Sequence, residues 1–121
     1  MVTLYKRIDR PVSVLELGCT NGGTLLCLER LGVKVSKYCG VDILRDNIKE
    51  AKLRFDKHSN AEFVKKDFLE YLNSTNDSFD ILFARWTFFY LDQEYLEEII
   101  DIISRKKIAK RILVSETRST S

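Results

Sequence analysis

The chain has 121 residues, 45% hydrophobic and 31% charged, the balance of a folded globular domain and not of a disordered or fibrous chain. Gly 5, Pro 1 and Cys 3 exclude collagen-like, low-complexity and disulfide-scaffold proteins, and the length allows one domain, residues 1–121, with a real core. Lys+Arg 20 against Asp+Glu 18 leaves a net charge of +2, too balanced for a basic nucleic-acid footprint, so no nucleic-acid partner is expected.

From the N-terminus, Met1 to Arg7 carry no signal-peptide apolar stretch, and no apolar run approaches the roughly 18 residues that span a bilayer. Val12 to Leu17 is a short β-branched and Leu run that predicts a strand. Thr24 to Leu31 then predicts a helix stopped by Gly32. Tyr38 to Ile43 is a second buried run. Leu44, Ile48, Ala51 and Phe55 fall at helical spacing. Glu62 to Lys66 is a third strand, followed by a helical turn over Leu69 to Leu72. Asn73 to Ser78 is a polar loop, and Phe79 to Ala84 a fourth strand. Leu96, Ile99, Ile100 and Ile103 mark the buried stripe of a longer helix, with Asp92 as its N-cap. The basic cluster Arg105, Lys106, Lys107, Lys110 and Arg111 follows that helix and suits the negative end of its dipole. Arg111 to Ser115 is a fifth strand. Cys19, Cys27 and Cys39 are odd in number and lack metal-ligand spacing. They are expected as reduced thiols in a cytoplasmic protein that holds no metal.

Strict alternation of strand and helix predicts an α/β fold, a parallel sheet with right-handed crossovers and helices on both faces. Ligands of such sheets bind outside the carboxyl ends of the strands, where the strand order reverses. Those ends carry Glu16-Leu17-Gly18-Cys19-Thr20-Asn21-Gly22-Gly23 after strand one, Asp42 after strand two, Asp67-Phe68 after strand three and Ala84-Arg85-Trp86 after strand four. Glycines let a backbone approach a ligand closely, and a carboxylate about 20 residues further on can accept both ribose hydroxyls. The set outlines an adenosine site. Of two cofactors with that outline, a nicotinamide dinucleotide needs Gly-x-Gly-x-x-Gly facing its pyrophosphate. Here Thr20 stands at the middle glycine, and Glu16 would repel a pyrophosphate. S-adenosylmethionine has no phosphate and carries an ammonium and a sulfonium, which a carboxylate favours.

With these residues in place, the chain resembles class I S-adenosylmethionine-dependent methyltransferases. Val14-Leu15-Glu16-Leu17-Gly18-Cys19-Thr20-Asn21-Gly22 is similar to their first motif, Gly40-Val41-Asp42-Ile43 to the second-strand motif, and Lys66-Asp67-Phe68 to the third. Phe79 to Ala84 and Ile112 to Glu116 are similar to the fourth and fifth strands. The resemblance covers nearly the whole chain. It implies a three-layer Rossmann-like sheet of order 3-2-1-4-5 and S-adenosylmethionine as cofactor. The implied cofactor-binding residues are Glu16, Gly18, Cys19, Thr20, Asn21, Gly22, Asp42, Ile43, Asp67, Phe68 and Arg85. Asp42 would hold the ribose and Asp67 the adenine amine. The acceptor, a small molecule or protein, is not identified, and neither is a catalytic residue.

Two departures stand out. Thr20 replaces a glycine, so the loop is expected to differ in shape or to bind less tightly. The family's last two strands are lacking, so strand five, with Ile112, Leu113 and Val114, becomes an apolar edge open to pairing with another chain. The chain is then a fragment of a longer enzyme, a chain that pairs with a partner or itself, or a cofactor-binding module without turnover. Structural roles compete at several positions: Asp67 as cap of the short helix, Asp80 as a turn residue, Phe88 and Phe89 as packing residues. His58 is expected in solvent and Cys19 as a small filler beside the ligand. Trp86 and Tyr90, with Tyr5 and Arg7 upstream, stay open as cofactor or substrate contacts.

Overall fold

The computed structural model describes residues 10–85 and 93–115. Its elements are β1 (Val12–Leu17), α1 (Gly23–Arg30), β2 (Val35–Asp42), α2 (Arg45–Arg54), β3 (Ala61–Lys65), α3 (Phe68–Ser74), β4 (Phe79–Arg85), α4 (Gln93–Arg105) and β5 (Ala109–Ser115). All five strands are parallel, in the order β3-β2-β1-β4-β5.

That order explains which face each helix covers. The chain steps outward from β1 to β3, so α1 and α2 lie on one face. It then crosses back over β1 to β4, and the same right-handed rule puts α3 and α4 on the other. Side chains alternate along each strand, and two cores result. Val14, Tyr38, Phe63, Ile81 and Phe83 pack with Leu25, Leu28, Ile48, Ala51 and Phe55 of the first pair and the end of α2. Leu15, Leu17, Val41, Leu82 and Ala84 pack with Phe68, Leu72, Ile99 and Ile103 of the second.

Local signals fix most boundaries. Gly32, at φ 83, ends α1 in a left-handed turn in which the Val33 N–H reaches the Leu28 carbonyl. Two details differ from the sequence expectation. The buried stripe of α4 runs through Tyr95, Ile99, Ile102 and Ile103, and Ile100 is 50% exposed. Positions 95, 99, 102 and 103 follow a helical repeat, and residue 100 is turned away from it. Of the basic cluster, Arg105 stands in the last turn of α4 as expected, but Lys106 serves a different helix. The Lys106 ammonium donates to the carbonyls of Leu72 (2.7 Å), Asn73 (3.1 Å) and Thr75 (2.8 Å), closing the C-terminal end of α3 and not of α4.

Candidate active site

At the end of β1 the chain folds back onto β2. The Gly18 and Cys19 N–H groups both donate to the Val41 carbonyl, at 2.8 and 3.2 Å. Gly18 adopts φ 85, a region open to glycine. This turn brings the loop against Asp42, the last residue of β2. Asp42 is buried, with 6% exposure. Its Oδ2 accepts the Thr20 N–H at 3.0 Å and its Oδ1 the Leu44 N–H at 2.9 Å. One main-chain donor thus fixes each oxygen and leaves each a lone pair for a further donor. Next to it, Ile43 is 58% exposed and offers an apolar face.

Thr20 tolerates the glycine's place at a cost. It sits at φ 49, which disfavours an L side chain by about 1–2 kcal/mol. The contact to Asp42 and a 2.7 Å bond from its hydroxyl to the Cys19 carbonyl offset that cost. The loop is therefore shaped by a threonine that closes onto the carboxylate.

Glu16 is sealed inside the domain. It is 0% exposed, on the α1 side of β1. The Tyr38 hydroxyl donates to Oε1 at 2.6 Å and the Thr24 hydroxyl to Oε2 at 2.8 Å. A buried carboxylate needs such donors, and the start of α1 adds a favourable dipole. Burial first, and then the charge of Glu16, push the Tyr38 phenol well above its ordinary pKa, so it stays a donor. Neither Tyr38 nor Thr24 was singled out in the sequence, where they read only as an apolar-run residue and a helix start.

Asp67 caps α3. Its Oδ2 accepts the Leu69 and Glu70 N–H groups at 3.0 and 3.3 Å, and its Oδ1 accepts the Tyr95 hydroxyl from α4. Burial and that bond push the Tyr95 phenol up to about 12. Phe68, the first residue of α3, is buried in the core. Gly22 is required by packing: at φ +89, a Cβ there would lie 2.5 Å from the Phe55 ring. Cys19 is fully buried against Gly40. Burial, with the charges of Glu16 and Asp42, pushes its thiol far up, so it is an inert filler. Asn21 is half-buried at the loop tip. His58, expected in solvent, is half-buried, 3.1 Å from the Glu29 carboxylate and edge-on to Phe55. Arg85 ends β4, but its side chain, like Tyr5, Arg7, Trp86, Phe88, Phe89, Tyr90 and the Asp92 cap, lies outside the described residues.

The methyltransferase domain family matches residues 14–106, most of the chain. The chain belongs to that family. The methyltransferase domain is also 37% identical over 54 residues to Rv1506c of Mycobacterium tuberculosis, named as a candidate methyltransferase, a stretch that is 45% of this chain and 32% of that protein. Among solved structures it is similar to TehB of Haemophilus influenzae (TM-score 0.72, 22% identity, 93% of this chain and 38% of that one). It is similar too to PKMT2 of Rickettsia typhi in complex with AdoHcy (TM-score 0.70, 23% identity, 85% of this chain and 20% of that one). These two likenesses concern the fold. In each comparison the matched region is well under half of the other protein.

Proposed function

We propose that this domain binds S-adenosylmethionine across the carboxyl ends of β1, β2 and β4 and transfers its methyl group to a small-molecule or protein acceptor. The observation that carries the reading is Asp42: a buried carboxylate whose two oxygens are each set by one backbone N–H, beside a glycine loop and an exposed apolar Ile43. That pair of acceptor oxygens fits a ribose diol, each hydroxyl donating to one oxygen, with the adenine against Ile43. When bound, the cofactor supplies a methyl group on a sulfonium leaving group.

The chain's own residues then bind and align. Gly18 and Thr20 shape the loop that faces the nucleoside. Glu16 acts at one remove. Its charge, sealed behind the loop, favours a cation and disfavours a pyrophosphate. Asp67 and Phe68 contribute by fixing the start of α3, with Tyr95 as the clamp. Alignment of the acceptor is the main catalytic resource of such a site, up to about 7–11 kcal/mol when geometry is optimal. Three thiols in an odd set fit a cytoplasmic location.

Calorimetry with S-adenosylmethionine, S-adenosylhomocysteine and NADH tests the proposal. The first two are expected to bind and NADH to stay silent. Asp42→Asn is expected to weaken binding by about 30-fold, the loss of a charge-assisted hydrogen bond of about 2 kcal/mol, with an unchanged circular dichroism spectrum. Silence with both sulfur nucleosides would sink the reading.

A further inference from the structure

The loop after β1 is pinned at both ends. Cys19 packs so closely over β2 that a Cβ on Gly40 would stand 2.7 Å from the Cys19 Cβ. At the other end, Gly22 lies against the Phe55 ring. Between these anchors, the peptide unit joining Cys19 to Thr20 makes three hydrogen bonds. Its N–H donates to Asp42 Oδ2 at 3.0 Å. Its carbonyl accepts the Gly22 N–H at 3.0 Å and the Thr20 hydroxyl at 2.7 Å, so both lone pairs are filled. The Gly22 bond closes a four-residue turn whose first central residue, Thr20, has φ 49. Glycine dominates such a place because a side chain disfavours it. Among the described residues only Thr20 and Lys107 are non-glycine residues with a positive φ, and Thr20 is the one bonded to a buried carboxylate. Strain of this kind persists only where the surroundings hold it in place.

We propose that Thr20 is a positioning residue for the ribose acceptor: its hydroxyl locks the Cys19–Thr20 peptide with the N–H aimed at Asp42. The inference rests on the cofactor reading of Asp42 given above. Rotation of this peptide by half a turn would relieve the Thr20 φ. It would also withdraw the N–H from Oδ2 and turn the Cys19 carbonyl toward the carboxylate, oxygen against oxygen. The φ cost of the side chain favours the rotated state, and the hydroxyl bond opposes it. The two positions are therefore close in energy, and the hydroxyl decides between them. In the rotated state Asp42 is held by the Leu44 N–H alone, and a ribose has to order the carboxylate as it binds. Apparent affinity falls with the fraction of chains whose site is preset. A glycine at position 20 would ease the φ but bring no such catch.

Amide hydrogen exchange, and calorimetry with S-adenosylhomocysteine, test it on the 121-residue chain. Thr20→Val keeps the branched shape and its φ cost and removes only the hydroxyl. Loss of one neutral hydrogen bond is expected to lower the exchange protection of the residue-20 amide about fivefold, with the amides of β1 unchanged. Affinity for S-adenosylhomocysteine is expected to fall in the same variant, by up to about fivefold. Thr20→Ser returns the hydroxyl and is expected to restore both. A packing role alone gives the opposite order, because Ser lacks the methyl group that Val keeps. The pair Thr20→Ser and Thr20→Ala repeats the comparison without the branch and is expected to show the same difference. Protection or affinity unchanged by Thr20→Val, or a Thr20→Ser variant no better than Thr20→Val, overturns the proposal. Silence of the unaltered chain with S-adenosylhomocysteine overturns the cofactor reading and this inference with it, whereas binding indifferent to Thr20→Val overturns this inference alone.

Discussion

Asp80 opens β4 and Asp42 closes β2, and the two carboxylates meet their partners in different ways. At the amino end of the sheet, Asp80 Oδ2 accepts both the N–H and the hydroxyl of Ser13, at 2.9 and 3.2 Å, and the Ser13 oxygen accepts the Asp80 N–H at 2.9 Å. The register shift between Val12 and Ser13 lies at the same place. The result is a closed clasp between β1 and β4, with Lys110 at 3.6 Å from the other oxygen. At the carboxyl end, Asp42 takes only main-chain donors, one per oxygen. One end spends its polar groups on holding strands together. The other holds a polar group still and leaves it able to accept more.

Five experiments would break or sharpen that contrast. The largest effect is expected from Gly22→Ala, which combines an unfavourable φ with overlap on Phe55. Urea unfolding should show a loss of about 3 kcal/mol, part of it recovered by adding Phe55→Leu. Next, Asp80→Ala should cost about 2 kcal/mol of stability, because it strands the Ser13 N–H, while leaving the affinity for S-adenosylmethionine unchanged. Asp42→Asn should lower that affinity about 30-fold and, because its amide nitrogen faces one of the two N–H groups the carboxylate accepts, also cost about 1 kcal/mol of stability; an affinity unchanged by Asp42→Asn would erase the distinction. Lys106→Met keeps the stem but removes the donor to three carbonyls. It should cost about 1–2 kcal/mol in the same unfolding assay. The smallest effect is on pH. The Ser13 N–H holds the Asp80 carboxyl below its ordinary value. Its contribution is therefore complete above about pH 3.9 and is lost as pH falls through the lower folded-state value. Asp80→Asn should flatten the acid limb of a stability profile.

The sheet was legible because its signals are local. Val12 to Leu17 and Phe79 to Ala84 are apolar runs, and Gly32 stops a helix wherever the chain goes next. Asp42 was legible for the same reason, as the residue at a strand end. Glu16 was legible as a motif member but not as a buried group. Its partners Tyr38 and Thr24 lie 22 and 8 residues away in sequence and meet it only once β1, β2 and α1 pack. Asp67 carries two readings; the cap is present in the structure, reinforced by a Tyr95 contact that no local pattern announces. Gly22 is legible as a glycine of the loop, but its contact with Phe55 is not. In each case the residue type was visible and its partner was not, because partners are set by tertiary contact.

The placement of the three cysteines gives a practical handle. Cys27 is exposed, whereas Cys19 and Cys39 are buried in different cores, and burial pushes the Cys39 thiol up to about 11. A maleimide added to the native chain should therefore label one position, and two further adducts should form only as the sheet opens. Counting adducts by mass spectrometry would report local opening around β1 and β2 without any engineered probe.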